Sequence, residues 1–551
     1  MRSLPFFLVL LVALASCAAT PPRATDTVAV KVLAINDFHG NLRPPAGGFR
    51  ERDPQDPAKS IDVAAGGAEY LASAVRELGE KNPNHVFVAA GDLVGASPLL
   101  SALFNDEPTV ESLGLMGLAL SAVGNHEFDR GAAELLRLQR GGCHPEKGCR
   151  GPQPFAGARF QYLAASTIDR RSGEPILPAY AVKRFEGIPV AFIGLTLKAT
   201  PQIVMPSGVA GLEFRDEVAT VNALVPELRR QGIEAIVVLI HEGGFPAGGP
   251  NECPGLSGPI VPIVRQLDPA VDLVISGHTH RAYVCRIDGR LVTSADKYGT
   301  LLGEIDLQLD RRSGDIIEAN ARNVVVRTDL FANDAAQSRL IEAYERLSAP
   351  LARRVVGRLS APLSRDEGTA GESPLGQVVA DAQLAATADV GAQIALTNPG
   401  GLRAPLAGDA DGSVRYEDLF AAQPFSNALV TLTLSGAQLL QVLEQQWAGQ
   451  VRPRVLQVSR GLSYTWDAAA PVGRRVVPGS LQLDGRAIAP EQRLRVTVNA
   501  FLASGGDNFK ALAENGTDAH TGMMDIDALE QLFRRTGTVA PPTAGRIRRL
   551  N

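Results

Sequence analysis

Residues 32–40 read Val-Leu-Ala-Ile-Asn-Asp-Phe-His-Gly, an apolar run that ends in Asp37 and His39. Four further apolar runs end in polar groups in the same way, and they lead into Gly91-Asp92, Gly124-Asn125-His126-Glu127-Phe128-Asp129, His241, and Gly277-His278-Thr279-His280. In open α/β sheets, the loops that follow buried strands gather the ligands. We therefore expect these polar side chains to lie together at one edge of a sheet.

Seven of these side chains are candidate metal ligands: Asp37, His39, Asp92, Asn125, His241, His278 and His280. A pair of divalent cations needs a bridging carboxylate, together with neutral ligands that leave coordination positions open. Asp92 is the natural bridge, because the preceding Gly91 permits close backbone approach. Five of the eight histidines fall inside these motifs, which argues against unrelated structural histidines. The sequence predicts two divalent metal ions, with zinc, manganese, cobalt and iron all compatible with nitrogen and oxygen ligands.

Size and composition indicate a globular protein of two domains. A chain of 551 residues is too long for one ordinary core. Its hydrophobic fraction of 45% and charged fraction of 21% are typical of globular proteins. The net charge of −5 argues against a nucleic acid polymer as the partner but is compatible with a small nucleotide bound in a local basic pocket.

The chain divides into two α/β units. Short β-branched runs alternate with amphipathic segments over residues 28–334, which predicts a sheet covered by helices. Residues 335–357 have apolar side chains at helical spacing and are predicted to form a connecting helix, interrupted near Pro350. A second, smaller α/β unit is predicted over residues 358–551. The predicted strands include 28–35, 86–90, 188–195, 233–240 and 271–276, and the predicted helices include 67–80, 130–140, 217–231 and 256–267.

The N-terminus carries export signals. Residues 1–16 contain Arg2 and an apolar run too short to span a bilayer, which is typical of a signal peptide. This segment leads into Leu14-Ala15-Ser16-Cys17, which resembles the bacterial lipobox. We therefore expect cleavage before Cys17 and lipidation of that cysteine; an ordinary signal peptide is the alternative. Residues 17–27 would then be a tether. The protein is expected to be exported and lipid-anchored to the cell envelope, on its periplasmic or cell-surface side.

The four remaining cysteines predict two disulfides, because exported proteins meet oxidising conditions. Cys143 and Cys149 flank a turn-like insert and are expected to pair locally. Cys253 with Cys285 would attach a loop to the region after His280. A zinc knuckle built on Cys143, His144 and Cys149 is the alternative, although it lacks a fourth ligand nearby.

The order of the motifs resembles that of the calcineurin-type metallophosphoesterases. The complete motifs Asn36-Asp37-Phe38-His39-Gly40 and Gly124-Asn125-His126-Glu127-Phe128-Asp129 are similar to those of the 5′-nucleotidase branch. This branch includes periplasmic UDP-sugar hydrolases and surface-anchored ecto-nucleotidases. The resemblance implies a four-layer α/β/β/α catalytic sandwich, joined by a helix to a smaller nucleotide-binding domain. It also implies that His126 is catalytic and is oriented by Asp129. It implies two metal sites, one formed by Asp37, His39, Asp92 and His280 and the other by Asp92, Asn125, His241 and His278.

The C-terminal half also resembles the partner domain of that branch, on the motifs at residues 398–403, 423–427 and 501–509. The substrate-binding residues that the resemblance implies are Asn398, Gly401, Arg403, Phe425, Phe501 and Asp507. Arg403 would contact phosphate, the two phenylalanines would sandwich the base, and Asp507 would hold the nucleoside. The alternative is that both phenylalanines are core residues. The sequence departs from the family at Gly371, where relatives often have arginine, and at Gln377.

The leading hypothesis is a 5′-nucleotidase that hydrolyses nucleoside 5′-monophosphates to nucleoside and phosphate, using water activated by two metal ions. Nucleoside di- and triphosphates and nucleotide sugars are further substrate classes to consider. One alternative is a 2′,3′-cyclic-nucleotide phosphodiesterase and 3′-nucleotidase, or another ester hydrolase of a sister branch. The other is a non-catalytic, nucleotide-binding surface lipoprotein, whose signature would be a missing metal ligand. None of the seven ligands is missing. The resemblance also implies a hinge within residues 335–357.

Overall fold

The computed structural model describes residues 26–53, 55–56 and 59–551. The predicted signal peptide, Cys17 and residues 18–25 of the predicted tether lie outside these ranges. Within them, no helix combines the length and the apolar character needed to cross a bilayer.

The first part of the chain contains sixteen strands and seven α-helices among the described residues. The strands are β1 (Thr27–Ile35), β2 (Phe49–Arg52), β3 (Ser60–Val63), β4 (His85–Ala89), β5 (Leu118–Ala122), β6 (Gln161–Leu163), β7 (Thr167–Asp169), β8 (Tyr180–Phe185), β9 (Ile188–Thr196), β10 (Leu212–Phe214), β11 (Ala235–His241), β12 (Leu273–Ser276), β13 (Ala282–Ile287), β14 (Arg290–Ala295), β15 (Leu301–Asp310) and β16 (Ile316–Val325). The helices are α1 (Ala68–Gly79), α2 (Leu99–Ala102), α3 (Glu107–Leu115), α4 (Ala132–Arg140), α5 (Thr200–Ile203), α6 (Glu217–Arg230) and α7 (Ile260–Gln266).

Helix α8 (Ala335–Ala352) leads to the second part of the chain. Its strands are β17 (Val355–Leu359), β18 (Ile394–Thr397), β19 (Ser413–Arg415), β20 (Ala428–Ser435), β21 (Gln457–Val458), β22 (Leu462–Asp467), β23 (Gln482–Leu483), β24 (Arg486–Ala487), β25 (Arg493–Asn499), β26 (Thr517–Met524), β27 (Thr538–Val539) and β28 (Ile547–Leu550). Its helices are α9 (Pro374–Ala386), α10 (Tyr416–Ala422), α11 (Gly436–Glu444), α12 (Ala500–Ala503), α13 (Lys510–Asn515) and α14 (Asp525–Thr536).

Two six-stranded sheets pack face to face in the first domain, in the orders β16-β15-β1-β4-β5-β6 and β13-β14-β12-β11-β9-β8. Buried aliphatic side chains from both sheets, such as Val32 and Val237, form the core between them. Helices α1, α3 and α4 cover the outer face of the first sheet. Helices α6 and α7 cover the outer face of the second. The expected four-layer α/β/β/α sandwich is therefore confirmed.

The central strands of both sheets run parallel: β1, β4 and β5 in the first sheet, and β9, β11 and β12 in the second. Strand β11 is buried along its whole length, which explains its uninterrupted apolar sequence Ala-Ile-Val-Val-Leu-Ile. Because parallel strands end at the same edge, the loops that follow them are brought together there.

The second domain is built on a five-stranded sheet in the order β21-β18-β25-β20-β26. Helices α11 and α13 pack with this sheet in one core that includes Trp447 and Trp466. Helices α9, α10 and α14 form another core with β17, and Leu99 of the first domain reaches into it. This smaller α/β unit agrees with the fold that the sequence predicts.

Helix α8 is continuous, so the predicted interruption near Pro350 is wrong. Asp334 caps its start by accepting the backbone N–H groups of Ala336 and Gln337. Pro350 lies in the last turn, so the backbone hydrogen bond that it cannot donate is lost only two residues before the helix ends at Ala352. Tyr344 is fully buried, and its ring centroid lies 4.8 Å from that of Phe104 in the first domain. The helix thus packs as part of the first domain.

Both predicted disulfides are present. Cys143 pairs with Cys149, and Cys253 pairs with Cys285. The zinc knuckle is excluded, because the sulfur atoms of Cys143 and Cys149 are bonded to each other. The second disulfide attaches the loop after β11 to strand β13.

Candidate active site

The loops that follow five parallel strands carry the seven candidate metal ligands. Each side chain lies at the end of its strand: Asp37 and His39 after β1, Asp92 after β4, Asn125 after β5, His241 at the end of β11, and His278 and His280 after β12. The ligands from the two sheets meet at one edge of the sandwich. Asp37, His39 and His241 are fully buried there.

Asp92 lies at the centre of this cluster. Its Oδ2 atom is 3.0 Å from His241 Nε2 and 3.6 Å from His39 Nε2. Its Oδ1 atom accepts the backbone N–H of His126 at 2.9 Å. With His241 and His278, Asp92 forms one group whose ligand atoms all lie within 4.8 Å of one another, and with His39 and His126 it forms another. The carboxylate of Asp92 therefore belongs to two groups of candidate ligands and lies between them.

A third group of the same kind contains Asp37, His39 and His280. His280 Nε2 lies 3.1 Å from Asp37 Oδ1 and 3.1 Å from His39 Nε2. The other ring nitrogen of His39 lies 2.8 Å from the carbonyl oxygen of Gly95. Because a carbonyl can only accept, the proton of His39 is on Nδ1 and the lone pair of Nε2 points into the cluster.

These donor atoms fit a divalent cation. The Oδ1 atoms of Asp37 and Asn125 are buried and accept no hydrogen bond from the residues that the structure describes. The Nδ1 atom of His241 lies 2.8 Å from the carbonyl oxygen of Ala90, so its Nε2 atom is the ring nitrogen that faces Asp92 and the cluster. Oxygen and imidazole nitrogen atoms at this spacing are held together either by a shared proton or by a cation among them. Nitrogen and oxygen donors of this kind suit first-row metals.

Burial keeps most of the imidazoles in the metal-binding form. It lowers the pKa of His39 and of His280 well below the usual value. Burial and then the nearby His241 lower the pKa of His278 to about 4. Burial would raise the pKa of Asp92, but the neighbouring His241 and His126 outweigh it and hold that pKa well below its usual range. At neutral pH, the neutral imidazoles of His39, His278 and His280 thus lie near an ionised carboxylate. His241 differs: burial would lower its pKa, but the charge of Asp92 outweighs burial and raises that pKa to about 10, so His241 must release a proton when it binds a metal.

Two glycines allow the loops to approach this closely. A Cβ atom at Gly124 would lie 2.1 Å from Asp92 Oδ1. A Cβ atom at Gly91 would lie 2.7 Å from His241 Nδ1, and the backbone at Gly91 has φ 84°. Any larger residue at either position would displace a candidate ligand.

His126 pairs with Asp129, as the sequence predicts: its Nδ1 atom lies 2.7 Å from Asp129 Oδ2. The carboxylate fixes the proton on Nδ1 and leaves Nε2 for the cleft. Burial alone would lower the pKa of His126, but the charges of Asp129 and Asp92 outweigh it and raise that pKa. His126 is thus suited to donate a proton near the candidate metal cluster.

A cavity of about 910 Å³ lies between the two domains and reaches the cluster. Asn125, His126, His278 and His280 line it from the first domain. The six predicted substrate-binding residues line it from the second: Asn398, Gly401, Arg403, Phe425, Phe501 and Asp507. Candidate metal ligands and candidate substrate contacts therefore face the same space.

The two phenylalanines are half-buried and face the cavity, whereas core residues would be covered on all sides. Gly506 allows the Phe501 ring to lie directly against the backbone, since a Cβ atom there would be 2.4 Å from the ring. Phe245 of the first domain and Arg452 of the second meet on the same cavity, with the guanidinium 3.9 Å from the ring centroid. The domains therefore contact each other beside the site.

Asp507 is more constrained than the sequence suggests. It is only 4% exposed; Asn398 donates to its Oδ2 atom at 2.8 Å, and Arg454 forms an ion pair with its Oδ1 atom. No sequence motif marks Arg454. A ligand that reaches Asp507 would meet a carboxylate whose position Arg454 and Asn398 already fix.

Arg365 is a second residue at the site that no sequence motif marks. It lines the cavity, and its side chain donates to the backbone oxygen of Arg403 at 2.5 Å. Burial and then the charge of Arg403 lower the pKa of Arg365. Neither arginine forms an ion pair with any described carboxylate, so the two guanidiniums leave positive charge for an anion. Arg365 lies six residues before Gly371 and outside every motif of the sequence.

The two departures from the family pattern lie away from the cavity. Gly371 does not line it. Gln377 is buried on α9 and donates to Glu372 at 3.1 Å. Gln377 is therefore a structural contact, and Arg365, six residues before Gly371, is an arginine that does line the cavity.

The sequence and the fold match two protein families. Residues 30–282 match the calcineurin-like phosphoesterases, and residues 355–514 match the 5′-nucleotidase C-terminal domain. The structure is similar to the crystal structure of a 5′-nucleotidase precursor from Thermus thermophilus, with a TM-score of 0.78 and 25% identity, covering 95% of this chain and 100% of that chain.

Two curated relatives are longer proteins. Endonuclease YhcR of Bacillus subtilis is 32% identical over 530 residues, which cover 95% of this chain and 41% of that protein. Cell wall protein Lmo0130 of Listeria monocytogenes is 31% identical over 526 residues, which cover 89% of this chain and 65% of that protein. The chain thus spans less than two thirds of the length of either relative. With a calcineurin-like phosphoesterase domain followed by a 5′-nucleotidase C-terminal domain, the chain belongs to the 5′-nucleotidase family.

Proposed function

We propose that the chain hydrolyses nucleoside 5′-monophosphates to nucleoside and inorganic phosphate. The observation that carries the proposal is the shared cavity. Candidate metal ligands line it from one domain, and two aromatic rings and the arginine pair Arg365 and Arg403 line it from the other. A phosphate ester whose alcohol carries a flat, stackable base matches that arrangement.

We further propose that two divalent cations bind at the cluster. Asp37, His39, Asp92 and His280 would hold one, and Asp92, Asn125, His241 and His278 would hold the other. When bound, such ions polarise a phosphoryl oxygen and make water a stronger nucleophile at neutral pH. The shared carboxylate of Asp92 supports the pairing, because it lies between the two groups of imidazoles.

His126 would donate a proton to the leaving oxygen of the nucleoside. Its Nε2 atom is free because Asp129 engages Nδ1. Against the opposing effect of burial, the carboxylates of Asp129 and Asp92 raise the pKa of His126, which favours the protonated form that a proton donor needs. Asp129 would act only through His126, by fixing its ring and stabilising its charge.

Arg403 and Arg365 would neutralise the phosphate, and Phe425 and Phe501 would hold the base. Base stacking on aromatic rings tolerates different bases, so we expect broad specificity for the nucleoside. Phe245 and Arg452 contact each other across the domain boundary beside this site.

Hydrolysis of phosphodiesters is a second candidate function. The B. subtilis relative, whose match covers 95% of this chain, is named an endonuclease. The metal cluster alone does not distinguish a monoester from a diester, since the same ligands serve both reactions. This candidate includes 2′,3′-cyclic nucleotides as substrates.

A phosphate-release assay with added Mn²⁺ or Zn²⁺ tests the proposal across 5′-AMP, 5′-UMP, 2′,3′-cyclic AMP, UDP-glucose and single-stranded DNA. Diester substrates would be followed by chromatography of the products. We expect the highest kcat/KM for the 5′-monophosphates. A higher value for the cyclic nucleotide or for DNA would favour the diesterase, and no product from any substrate would contradict both activities.

We also propose that the protein is exported and lipid-anchored through Cys17. Two disulfides support export, because they persist in oxidising compartments. One relative is named a cell wall protein. Labelling with a radioactive fatty acid should mark the wild-type protein and not a Cys17→Ser variant. Equal labelling of both would contradict the anchor.

A further inference from the structure

Glu127 connects the two loops that carry the centre of the cluster. Its side chain is 3% exposed. The Oε2 atom accepts the backbone N–H groups of Asp92 at 3.0 Å and Gly124 at 2.7 Å. The Oε1 atom accepts those of Leu93 at 2.8 Å and Val94 at 3.4 Å. One carboxylate thus binds four backbone amides from two different strand ends.

This arrangement makes a chemical role for Glu127 unfavourable. Each oxygen of Glu127 already accepts two backbone N–H groups, so a proton could bind to it only if one of these hydrogen bonds were broken. A buried carboxylate is costly unless its oxygens are well satisfied, so the four N–H groups are what allow Glu127 to remain there. Its contacts therefore serve to hold backbone in place.

The backbone that Glu127 holds is unusual. Asp92 has φ 51°, in the left-handed region that few residues other than glycine adopt. The Glu127 hydrogen bond at the Asp92 N–H helps to maintain that conformation, which turns the carboxylate into the cluster. The hydrogen bond at Gly124 fixes the start of the loop that presents Asn125.

We infer that Glu127 is a positioning residue that sets the position of Asp92 relative to Asn125, and thereby the separation of the two metal sites. This inference rests on the proposed function, since it concerns the metal pair. It predicts that shortening or neutralising Glu127 weakens metal binding by the shared carboxylate of Asp92 more than it lowers the stability of the fold.

Three variants test it: Glu127→Gln, Glu127→Asp and the control Glu217→Gln. Glu217 is also buried and also accepts a backbone N–H, that of Lys198 at 2.6 Å, but it does not line the cavity. Each variant would be compared with wild type for Mn²⁺ bound per chain, Mn²⁺ affinity, melting temperature, and the electron paramagnetic resonance signal of two coupled Mn²⁺ ions.

We expect both Glu127 variants to bind Mn²⁺ about 10–100-fold more weakly and to lose the coupled signal, as for other supports of metal ligands. The control Glu217→Gln should keep the Mn²⁺ affinity and the coupled signal. Its melting temperature should fall by an amount similar to that of Glu127→Gln. Glu127→Asp keeps the charge but is one methylene too short to reach both loops. A normal coupled signal in Glu127→Asp would therefore show that charge alone matters and would overturn the inference.

A normal signal and affinity in Glu127→Gln would also overturn it. If Glu127→Gln fails to fold, as judged by its melting curve, Glu127→Asp alone decides the question. A wild-type chain that binds no metal pair would instead contradict the proposed function, and this inference with it.

Discussion

The imidazole of His126 lies nearly parallel to the ring of Phe425, with an angle of 25° and a distance of 5.8 Å between centroids. His126 belongs to the first domain and Phe425 to the second. The proposed proton donor and one of the proposed base-binding rings therefore touch across the domain interface. This contact places the second domain beside the candidate metal ligands, as the proposed binding of a nucleotide by both domains requires.

Replacing His126 with alanine should remove most turnover and leave metal binding intact. The proposed ligand set does not include His126, whereas proton donation to the leaving oxygen contributes about 10²–10⁴-fold to a rate. Phosphate release from 5′-AMP and metal content by elemental analysis would be measured together. The exposed His85→Ala variant is the control. Near-normal turnover in His126→Ala would exclude His126 from the mechanism.

Replacing Phe501 with alanine should raise KM for nucleotides. Base stacking on an aromatic ring contributes about 1–3 kcal/mol, which corresponds to about a 5- to 150-fold change in affinity. Phosphate release from p-nitrophenyl phosphate, which has no base, should change much less. An equal effect on both substrates would indicate that Phe501 supports the fold and does not bind the base.

Replacing Arg365 with alanine should raise KM for 5′-AMP. Hydrogen bonds to charged groups are worth about 1.5–3 kcal/mol, so the effect should be about tenfold or more. Arg365→Lys should recover only part of the loss, because lysine cannot form the forked contact. Arg460→Ala removes an exposed arginine of the same domain and is the matched control. Equal KM values in the Arg365 and Arg460 variants would contradict a phosphate contact.

The stability contributed by Asp272 should decrease as pH rises. Burial raises the pKa of Asp272 to about 8 in the folded chain, against about 3.9 when unfolded. Because folding raises this pKa, the contribution of Asp272 to the free energy of unfolding is fully present below a pH of about 4 and is lost as the pH rises through about 8. Asp272→Asn keeps an acceptor for the Ile236 N–H and never ionises.

The melting temperature of Asp272→Asn should therefore improve relative to wild type when the pH is raised from about 5 to about 8.5, because most of this range lies between the two pKa values. Asp288→Asn, at an exposed position, serves as the control and should show no such trend. If the melting temperatures of Asp272→Asn and wild type differed by the same amount at both pH values, the buried, protonated state of Asp272 would be contradicted.

The fold was predictable where the sequence pattern is strong. The buried strand of residues 233–240 and the amphipathic helix of residues 217–231 are observed within two residues of their predicted ends. The helix predicted to begin at residue 256 begins at Ile260, because Gly258 has φ 102° and Pro259 follows it. Such local backbone conformations do not appear in hydrophobic periodicity.

The candidate site was predictable where short motifs mark it, and only there. The motifs named Asp92 and His241, which the fold brings within 3.0 Å although they are far apart in sequence. Arg365 and Arg454 carry no motif, and only the packing of the second domain shows that they reach the cavity. The fixed orientation of Asp507 depends on Arg454, so sequence patterns could not predict it either.

Metal reconstitution tests the central claim most directly. Purified chain would be stripped of metal and dialysed against Mn²⁺. Bound metal and phosphate release from 5′-AMP would then be measured in wild type and in Asp92→Asn. We predict two ions per chain and turnover in the wild type, and loss of both the second ion and turnover in the variant. A wild-type chain that stays metal-free and inert, or an Asp92→Asn variant that keeps two ions and full activity, would contradict the account.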